Sequence, residues 1–134
     1  MERYFTQPYR FIPPYRSSFW YMLSRGYVTR TLRKEHGVTQ VQVEGLDHLR
    51  DSLQRKAGIL LTPNHCRGAD PLAVGLMAGQ LRQPLYFLAS SHLFRQGRLQ
   101  SWLLRRLGSF SIWREGPDRE AIKESARILA EAER

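Results

Sequence analysis

The sequence predicts an α/β domain in which a mixed, largely parallel sheet is flanked by helices. Short apolar runs typical of strands alternate along the chain with segments of helical periodicity. This alternation is typical of parallel sheets, whose strands are joined by helical crossovers. The composition agrees, since 42% hydrophobic and 25% charged residues are usual for a globular domain. At 134 residues the chain fits one such domain with one core.

Residues 1–36 are predicted to form an N-terminal arm followed by a basic amphipathic helix. Aromatic, arginine and proline residues dominate the arm, residues 1–15, and serines at its end are suited to cap a helix that ends near Glu35. One helix face carries apolar residues at four-residue spacing: Phe19, Leu23 and Tyr27. The helix therefore either packs on the domain with a solvated basic face or lies on a membrane surface.

Residues 37–134 are predicted to form the α/β domain itself. Strands are expected at residues 38–43, 58–63, 84–90 and 109–113. Helices are expected at residues 46–56, 70–81, 91–108 and 118–134. The last helix reaches Arg134 without a glycine or proline stop signal, so we expect the chain to be cut short.

The positive charge of the chain is concentrated in two segments. The net charge is +9; residues 1–36 hold seven Lys or Arg against two acidic residues, and residues 82–114 hold six Arg and no acid. Such a field attracts phosphate groups, whether on lipid headgroups, on coenzymes or on nucleic acid. An anionic partner is therefore expected, and charge alone does not choose among these classes.

Cysteine content and the length of apolar runs indicate the compartment. The single cysteine, Cys66, excludes an intramolecular disulfide and favours a reducing environment. No apolar run approaches the roughly 20 residues that span a bilayer, and the N-terminus lacks the apolar core of a secretory signal. We therefore expect a cytoplasmic protein.

The stretch NHCRGAD, residues 64–70, places a histidine and an aspartate between a predicted strand and a predicted helix. A neutral imidazole can accept a hydroxyl proton, and a carboxylate on its other ring nitrogen fixes the tautomer. The residues between His65 and Asp70 include Gly68, so the turn can curl until the two side chains meet. Alternatively, Asp70 before Pro71 only opens the helix. Both roles are compatible if one carboxylate oxygen caps the helix and the other holds His65.

Other reactive residues are less suited to a site. Cys66 adjoins His65, but nothing positions a separate base for a cysteine nucleophile, and a small residue filling the turn explains it better. The remaining histidines, His36, His48 and His92, lack the paired spacing of metal ligands. We therefore predict neither a nucleophilic cysteine nor a metal site.

The order of these features resembles the glycerolipid acyltransferase family of the 1-acylglycerol-3-phosphate acyltransferase type. Asn64 and His65, followed by four residues and Asp70, are similar to the first motif of that family, and GSFSIWR at residues 108–114 is similar to the second. Between them, LYFLASSHLF and LQSWLLRRLG resemble the connecting strand and the apolar, membrane-proximal helical stretch. The resemblance covers roughly residues 40–132.

The resemblance implies transfer of a fatty acyl group from an acyl thioester, on coenzyme A or acyl carrier protein, to a hydroxyl of lysophosphatidate or a related glycerol phosphate in phospholipid synthesis. His65 would be the general base and Asp70 its orienting partner, so neither an acyl-enzyme nor a cofactor beyond the co-substrate is expected. Arg114, in the second motif, would hold the acceptor phosphate. From the turn itself, we expect backbone N–H groups near Gly68 and Ala69 to stabilise the thioester oxyanion.

An anionic membrane surface is a further expected partner, which would make the protein peripheral to the membrane. Residues 82–114 interleave apolar side chains with arginines, namely Leu93, Phe94, Trp102, Leu103 and Leu107 with Arg95, Arg98, Arg105 and Arg106. This pattern suits contact with anionic lipid. Alternatively, the apolar residues belong to the core and the arginines are solvated.

The chain departs from the family pattern in three places. Arg67 stands where the family often has a small polar residue, and Ser90 and His92 replace a common Lys and Glu, which leaves the acceptor preference open. The third family motif, Phe-Pro-Glu-Gly-Thr-Arg or similar, should follow Arg134. We therefore expect a domain truncated before that motif, with poor activity in isolation.

Two alternative functions remain. One is an inactive, membrane-associated fragment of the same fold. The other is a basic nucleic-acid-binding module, but the arginines are dispersed among apolar runs and no short nucleic-acid-binding motif is present. We therefore expect no nucleic-acid partner, while the inactive fragment stays open.

Overall fold

The computed structural model describes residues 8–132 as a mixed α/β arrangement. The α-helices are α1 (Ser18–Glu35), α2 (Leu46–Gln54), α3 (Asp70–Gln80), α4 (Arg98–Arg106) and α5 (Arg119–Ala132), and a 3-10 helix spans Ser91–Arg95. The strands are β1 (Phe87–Ser90) and β2 (Ser109–Ile112). The predicted helices and the last two predicted strands are confirmed.

The two strands form a small parallel sheet. Phe87 pairs with Ser109, and Ser90 at the end of β1 pairs with Ile112 at the end of β2. The 3-10 helix and α4 make the crossover that a parallel pair requires. Gly108 precedes β2 with φ +91°, and a Cβ there would lie 2.4 Å from the Leu85 carbonyl oxygen. Only glycine therefore lets β2 begin so close to β1.

Two of the predicted strands do not form within residues 8–132. Residues 38–43 and 58–63 are in neither helix nor strand. Leu60 is 66% exposed, whereas a strand covered on both faces would bury it. A strand exists only through hydrogen bonds to a neighbour, and neither segment pairs with one in the described part of the chain. The prediction of a larger sheet is therefore wrong for these residues.

Residues 1–7 of the predicted N-terminal arm lie outside the described residues, and the rest of the arm, residues 8–15, lies along β2 and the end of α4. The Ser111 N–H donates to the Ile12 carbonyl over 3.0 Å, and the Ile12 N–H donates to Ser111 Oγ over 2.8 Å. The Tyr15 N–H donates to the Arg105 carbonyl over 2.9 Å. These bonds fix the arm to the sheet as an integral part of the fold.

Helix α1 packs on α3 through Tyr21, whose hydroxyl donates to the Gly75 carbonyl over 2.7 Å. Tyr21 and Leu32 are the buried residues of α1. The predicted apolar face instead remains open, with Phe19, Leu23 and Tyr27 each between 60% and 67% exposed. The helix thus packs on the domain, but not through the face that the sequence indicated.

The core of residues 8–132 lies between β2 and the helices around it. Phe110 and Ser111 of β2, Phe94 of the 3-10 helix and Ala121 of α5 are all at most 5% exposed. Phe94, which the sequence grouped with residues facing a membrane, is therefore a core residue.

An aromatic and basic surface joins the arm, α1 and α4. Trp102 packs edge-on against Trp20 with ring centroids 4.9 Å apart, and the Arg106 guanidinium lies 4.2 Å from the centre of the Tyr15 ring. Leu99, beside them on α4, is 77% exposed. Within residues 8–132, none of the helices combines the length and the apolar character needed to cross a bilayer.

Candidate active site

The His65–Asp70 turn, residues 64–70, brings its histidine and its aspartate together. Nδ1 of His65 lies 3.3 Å from Oδ2 of Asp70. The side chain of His65 is 64% exposed and that of Asp70 is 28% exposed, so the pair is accessible from solvent. The contact expected from the spacing is therefore present, and the catalytic roles of the two residues stay a prediction.

Two backbone groups hold the Asp70 carboxylate in place. The N–H groups of Cys66 and Arg67 donate to Oδ2 of Asp70 over 2.7 Å and 2.8 Å, the same oxygen that faces His65. No side chain caps the N-terminus of α3, because Asp70 is itself the first helical residue after Ala69. The prediction that one oxygen caps the helix while the other holds His65 is therefore wrong, since Oδ2 makes all of these contacts with the turn.

These hydrogen bonds keep Asp70 ionised. The pKa of the Asp70 carboxyl group lies below its usual value. The Arg67 N–H lowers this pKa most, and the Cys66 N–H and His65 lower it further. Partial burial raises the pKa, but it does not outweigh these hydrogen bonds. A carboxylate accepts the proton of His65 Nδ1, which leaves the lone pair of Nε2 unused. An imidazole in this tautomer can act as a general base.

Gly68 and Ala69 complete the turn before α3. Ala69 is buried and Gly68 is exposed. A Cβ at Gly68 would lie 3.5 Å from Cε1 of His36, so the residue that follows α1 lies against the turn. The expected role of these backbone N–H groups toward an oxyanion stays a prediction.

Arg114 follows β2 at the carboxyl edge of the sheet and is exposed. Among residues 8–132, it makes no hydrogen bond or ion pair with His65 or Asp70, and none with any other side chain. Its guanidinium is therefore available to an anion from solution, and its role toward a phosphate stays a prediction.

A second histidine lies at the same edge of the sheet. Ser90 ends β1, and its Oγ is 2.7 Å from Nδ1 of His92. The sequence marked these two residues only as departures from a family pattern. A serine and a histidine two positions apart carry no chemical signal unless the chain bends between them, as it does where β1 gives way to the 3-10 helix.

The expectation that this site uses neither a metal ion nor a cysteine nucleophile stays a prediction. The described part of the chain holds no group of three or more His, Cys, Asp or Glu side chains that could bind a metal ion. Cys66 is an exposed free thiol whose backbone N–H, rather than its sulfur, serves the turn.

Comparison with known protein families agrees with the geometry. The model of the acyltransferase family matches residues 40–134, more than two thirds of the chain. Comparisons with curated proteins and with solved structures gave no significant match. The matched region contains the His65–Asp70 turn, both strands and Arg114. The chain therefore belongs to the acyltransferase family, of the 1-acylglycerol-3-phosphate acyltransferase type.

Proposed function

We propose that this protein transfers a fatty acyl group from an acyl thioester, on coenzyme A or acyl carrier protein, to a hydroxyl of lysophosphatidate or a related glycerol phosphate in phospholipid synthesis. Family membership supports acyl transfer in general. The net charge of +9, and an Arg114 that pairs with no side chain within residues 8–132, favour an acceptor that carries a phosphate. The contact between His65 and Asp70 carries the proposal, because activation of a hydroxyl requires an oriented, accessible imidazole.

In this mechanism His65 acts as the general base. Its Nε2 takes the proton of the acceptor hydroxyl while the hydroxyl oxygen attacks the thioester carbonyl carbon and forms a tetrahedral oxyanion. Collapse of the oxyanion breaks the carbon–sulfur bond, and the imidazolium returns its proton to the departing thiolate. Asp70 stabilises the imidazolium through Nδ1. The acyl group passes directly to the acceptor, so no residue of the protein is acylated.

Two anions must be stabilised during the reaction. The acceptor phosphate would bind the Arg114 guanidinium through charge-assisted hydrogen bonds, which two N–H groups can make side by side. The tetrahedral oxyanion would accept hydrogen bonds from backbone N–H groups near Gly68 and Ala69, at the N-terminal end of α3 where partial positive charge accumulates.

Acyl transfer by purified protein tests the proposal. We expect transfer from oleoyl-coenzyme A or an acylated carrier protein to lysophosphatidate or glycerol 3-phosphate, and a loss of at least about 100-fold in kcat for His65→Ala. His48→Ala is the matched control, because His48 lies on α2 outside the turn and should leave kcat unchanged. Equal activity of His65→Ala and the parent protein would contradict the assigned base.

An absence of transfer to every acceptor would overturn the proposal as a whole. The outcome would then favour the alternative of a catalytically silent, membrane-associated domain. Both hypotheses share the membrane surface, so membrane binding needs a separate experiment.

We propose that the aromatic and basic surface of the arm, α1 and α4 binds the cytoplasmic face of a membrane rich in anionic lipid. Exposed apolar side chains beside arginines support this, since the former enter the headgroup region and the latter pair with lipid phosphates. Leu99 and Arg98 lie next to each other on α4, and Phe19 is exposed on α1.

Co-sedimentation with vesicles of phosphatidylglycerol and phosphatidylcholine tests this surface. Leu99→Asp should weaken binding to anionic vesicles several-fold, because it places a negative charge at the proposed contact. Ile122→Asp is the matched control, since Ile122 is similarly exposed, at 64%, but on α5. Equal losses for both variants, or displacement of the vesicles by single-stranded nucleic acid, would contradict the proposed membrane surface.

A further inference from the structure

We propose that Ser90 and His92 form a second acceptor-binding element, in which His92 donates a hydrogen bond to the phosphate that Arg114 binds. The identity of that phosphate as part of an acyl acceptor rests on the proposed function. The hydrogen bond from His92 to a phosphate monoester is independent of it and can be measured directly.

The contact between Ser90 and His92 sets the chemical character of the imidazole. Ser90 Oγ lies 2.7 Å from His92 Nδ1, a distance that fits either atom as the donor. In the proposed arrangement the hydroxyl is the donor, which leaves the ring proton on Nε2. His92 is exposed, so the Nε2–H is available to a ligand. In this tautomer the ring presents an oriented N–H donor, suited to an anionic oxygen.

The register of the sheet places this donor beside Arg114. Ser90 and Ile112 are paired at the ends of two parallel strands, so both chains leave the sheet at the same edge. His92 and Arg114 each follow two residues later. Neighbouring strands lie about 4.8 Å apart, so the chain segments that carry His92 and Arg114 start about one strand spacing from each other. In the proposed arrangement one phosphate lies between these two side chains.

The surroundings favour an anion over an internal partner. Within residues 8–132, no acidic side chain forms an ion pair with the His92 ring or the Arg114 guanidinium, and the exposed Glu115 beside Arg114 pairs with neither. The 3-10 helix that carries His92 packs against both strands, so the ring is presented from a fixed backbone. Ser90 is then a positioning residue, because it acts on the ligand only through His92.

Long-range 1H–15N spectra of the labelled full chain test the proposal without any turnover. We expect the His92 ring, assigned through its absence in His92→Gln, to carry its proton on Nε2 at pH 8. Its signals should move when glycerol 3-phosphate is added at constant ionic strength, while those of His48 stay unchanged. Ser90→Ala should mix the two tautomers and weaken the response several-fold, and Ser90→Thr should restore it.

Steady-state kinetics give the second measurement. His92→Gln should raise the KM for glycerol 3-phosphate about fivefold and leave kcat within about twofold, because one hydrogen bond to bound substrate is lost. His48→Gln should change neither constant. A His92 ring protonated on Nδ1, or a ring whose signals ignore saturating glycerol 3-phosphate, would overturn the proposal.

The two proposals fail in distinguishable ways. If His65→Ala abolishes transfer but the His92 signals do not respond to glycerol 3-phosphate, the second acceptor-binding element is wrong and the acyl transfer mechanism stands. If no acyl group is transferred but His92 responds, the phosphate site stands and the proposed reaction is wrong.

Discussion

Two aspartates at the starts of helices gather hydrogen bonds in similar ways, yet one is buried and the other is open to solvent. Asp118, before α5, is 8% exposed, and its Oδ2 accepts the Tyr9 hydroxyl over 2.6 Å and the Trp113 N–H over 2.9 Å. Asp70, at the start of α3, accepts two backbone N–H groups on Oδ2 and faces His65 with the same oxygen. Each carboxylate thus joins a preceding loop to one aromatic side chain.

The aromatic partner separates the two sites. In the Asp118 cluster, which comprises Tyr9, Ser111, Trp113 and Asp118, the Tyr9 hydroxyl also lies 2.9 Å from Ser111 Oγ. Burial, with help from Asp118, raises the pKa of Tyr9 to about 12, so its proton stays in place at physiological pH. His65 instead offers solvent a ring nitrogen that Asp70 does not use. A carboxylate held in this way therefore stabilises the fold where it is buried, as at Asp118. Where it is accessible to solvent, as at Asp70, the same arrangement is suited to proton transfer.

The largest expected effect on this comparison comes from Asp70→Asn. An amide cannot stabilise the imidazolium, so kcat for acyl transfer should fall about 1,000-fold. The midpoint of urea unfolding should stay close to that of the parent, because the pair is accessible from solvent and the amide oxygen can still accept the two backbone N–H groups. Enzyme kinetics and urea unfolding of the same preparation measure the two quantities. A kcat within tenfold of the parent value would show that Asp70 serves only the backbone of the turn.

Asp118→Ala should show the opposite pattern. The change removes the acceptor of the Tyr9 hydroxyl and of the Trp113 and Ala121 N–H groups. The free energy of unfolding should fall by about 3 kcal/mol, the sum expected for a lost helix cap and buried donors left unpaired. Urea unfolding measures the loss. A variant within about 1 kcal/mol of the parent would contradict the structural role assigned to the Asp118 cluster.

The His65–Asp70 contact could be predicted from the sequence because its two residues are close along the chain. His65 and Asp70 are five positions apart between an apolar run and a helix start, so the turn alone brings them together. The helices follow from periodicity in the same local way. The Asp118 cluster was missed because Tyr9 and Asp118 are 109 positions apart, and an Asp at a helix start gives no signal of a distant hydroxyl.

The prediction of the two strands that do not form was wrong because strand formation depends on distant partners. Residues 38–43 and 58–63 carry the side-chain pattern of strands, but a strand also needs a neighbour with free backbone groups. In residues 8–132 the only paired segments are β1 and β2, and Leu60 remains exposed. Side-chain pattern predicts which face of a segment is apolar, whereas pairing depends on the rest of the sheet.

A smaller effect is expected from Tyr9→Phe. This variant keeps the ring that stacks on Trp113, with centroids 5.2 Å apart, and removes only the hydroxyl. Asp118 retains its backbone donors, so the free energy of unfolding at pH 7 should fall by about 1 kcal/mol, the usual net value of one hydrogen bond. Urea unfolding beside Asp118→Ala measures it. A loss as large as that of Asp118→Ala would mean that the hydroxyl, and not the carboxylate, organises the cluster.

The smallest effect is the pH dependence of the difference in free energy of unfolding between the parent and Tyr9→Phe. The pKa of Tyr9 is raised from 10.0 to about 12 in the folded chain, so folding favours the protonated phenol. The hydroxyl therefore contributes its full stability below pH 10 and loses it as the pH rises from 10 toward 12. The stability difference between the parent and Tyr9→Phe should narrow over this range, while the raised pKa of Tyr21 affects both proteins equally and cancels. If the stability difference between the parent and Tyr9→Phe stays constant from pH 8 to 12, the Tyr9 hydroxyl is not held in the buried Asp118 cluster. The contrast between that cluster and the exposed His65–Asp70 turn would then be wrong.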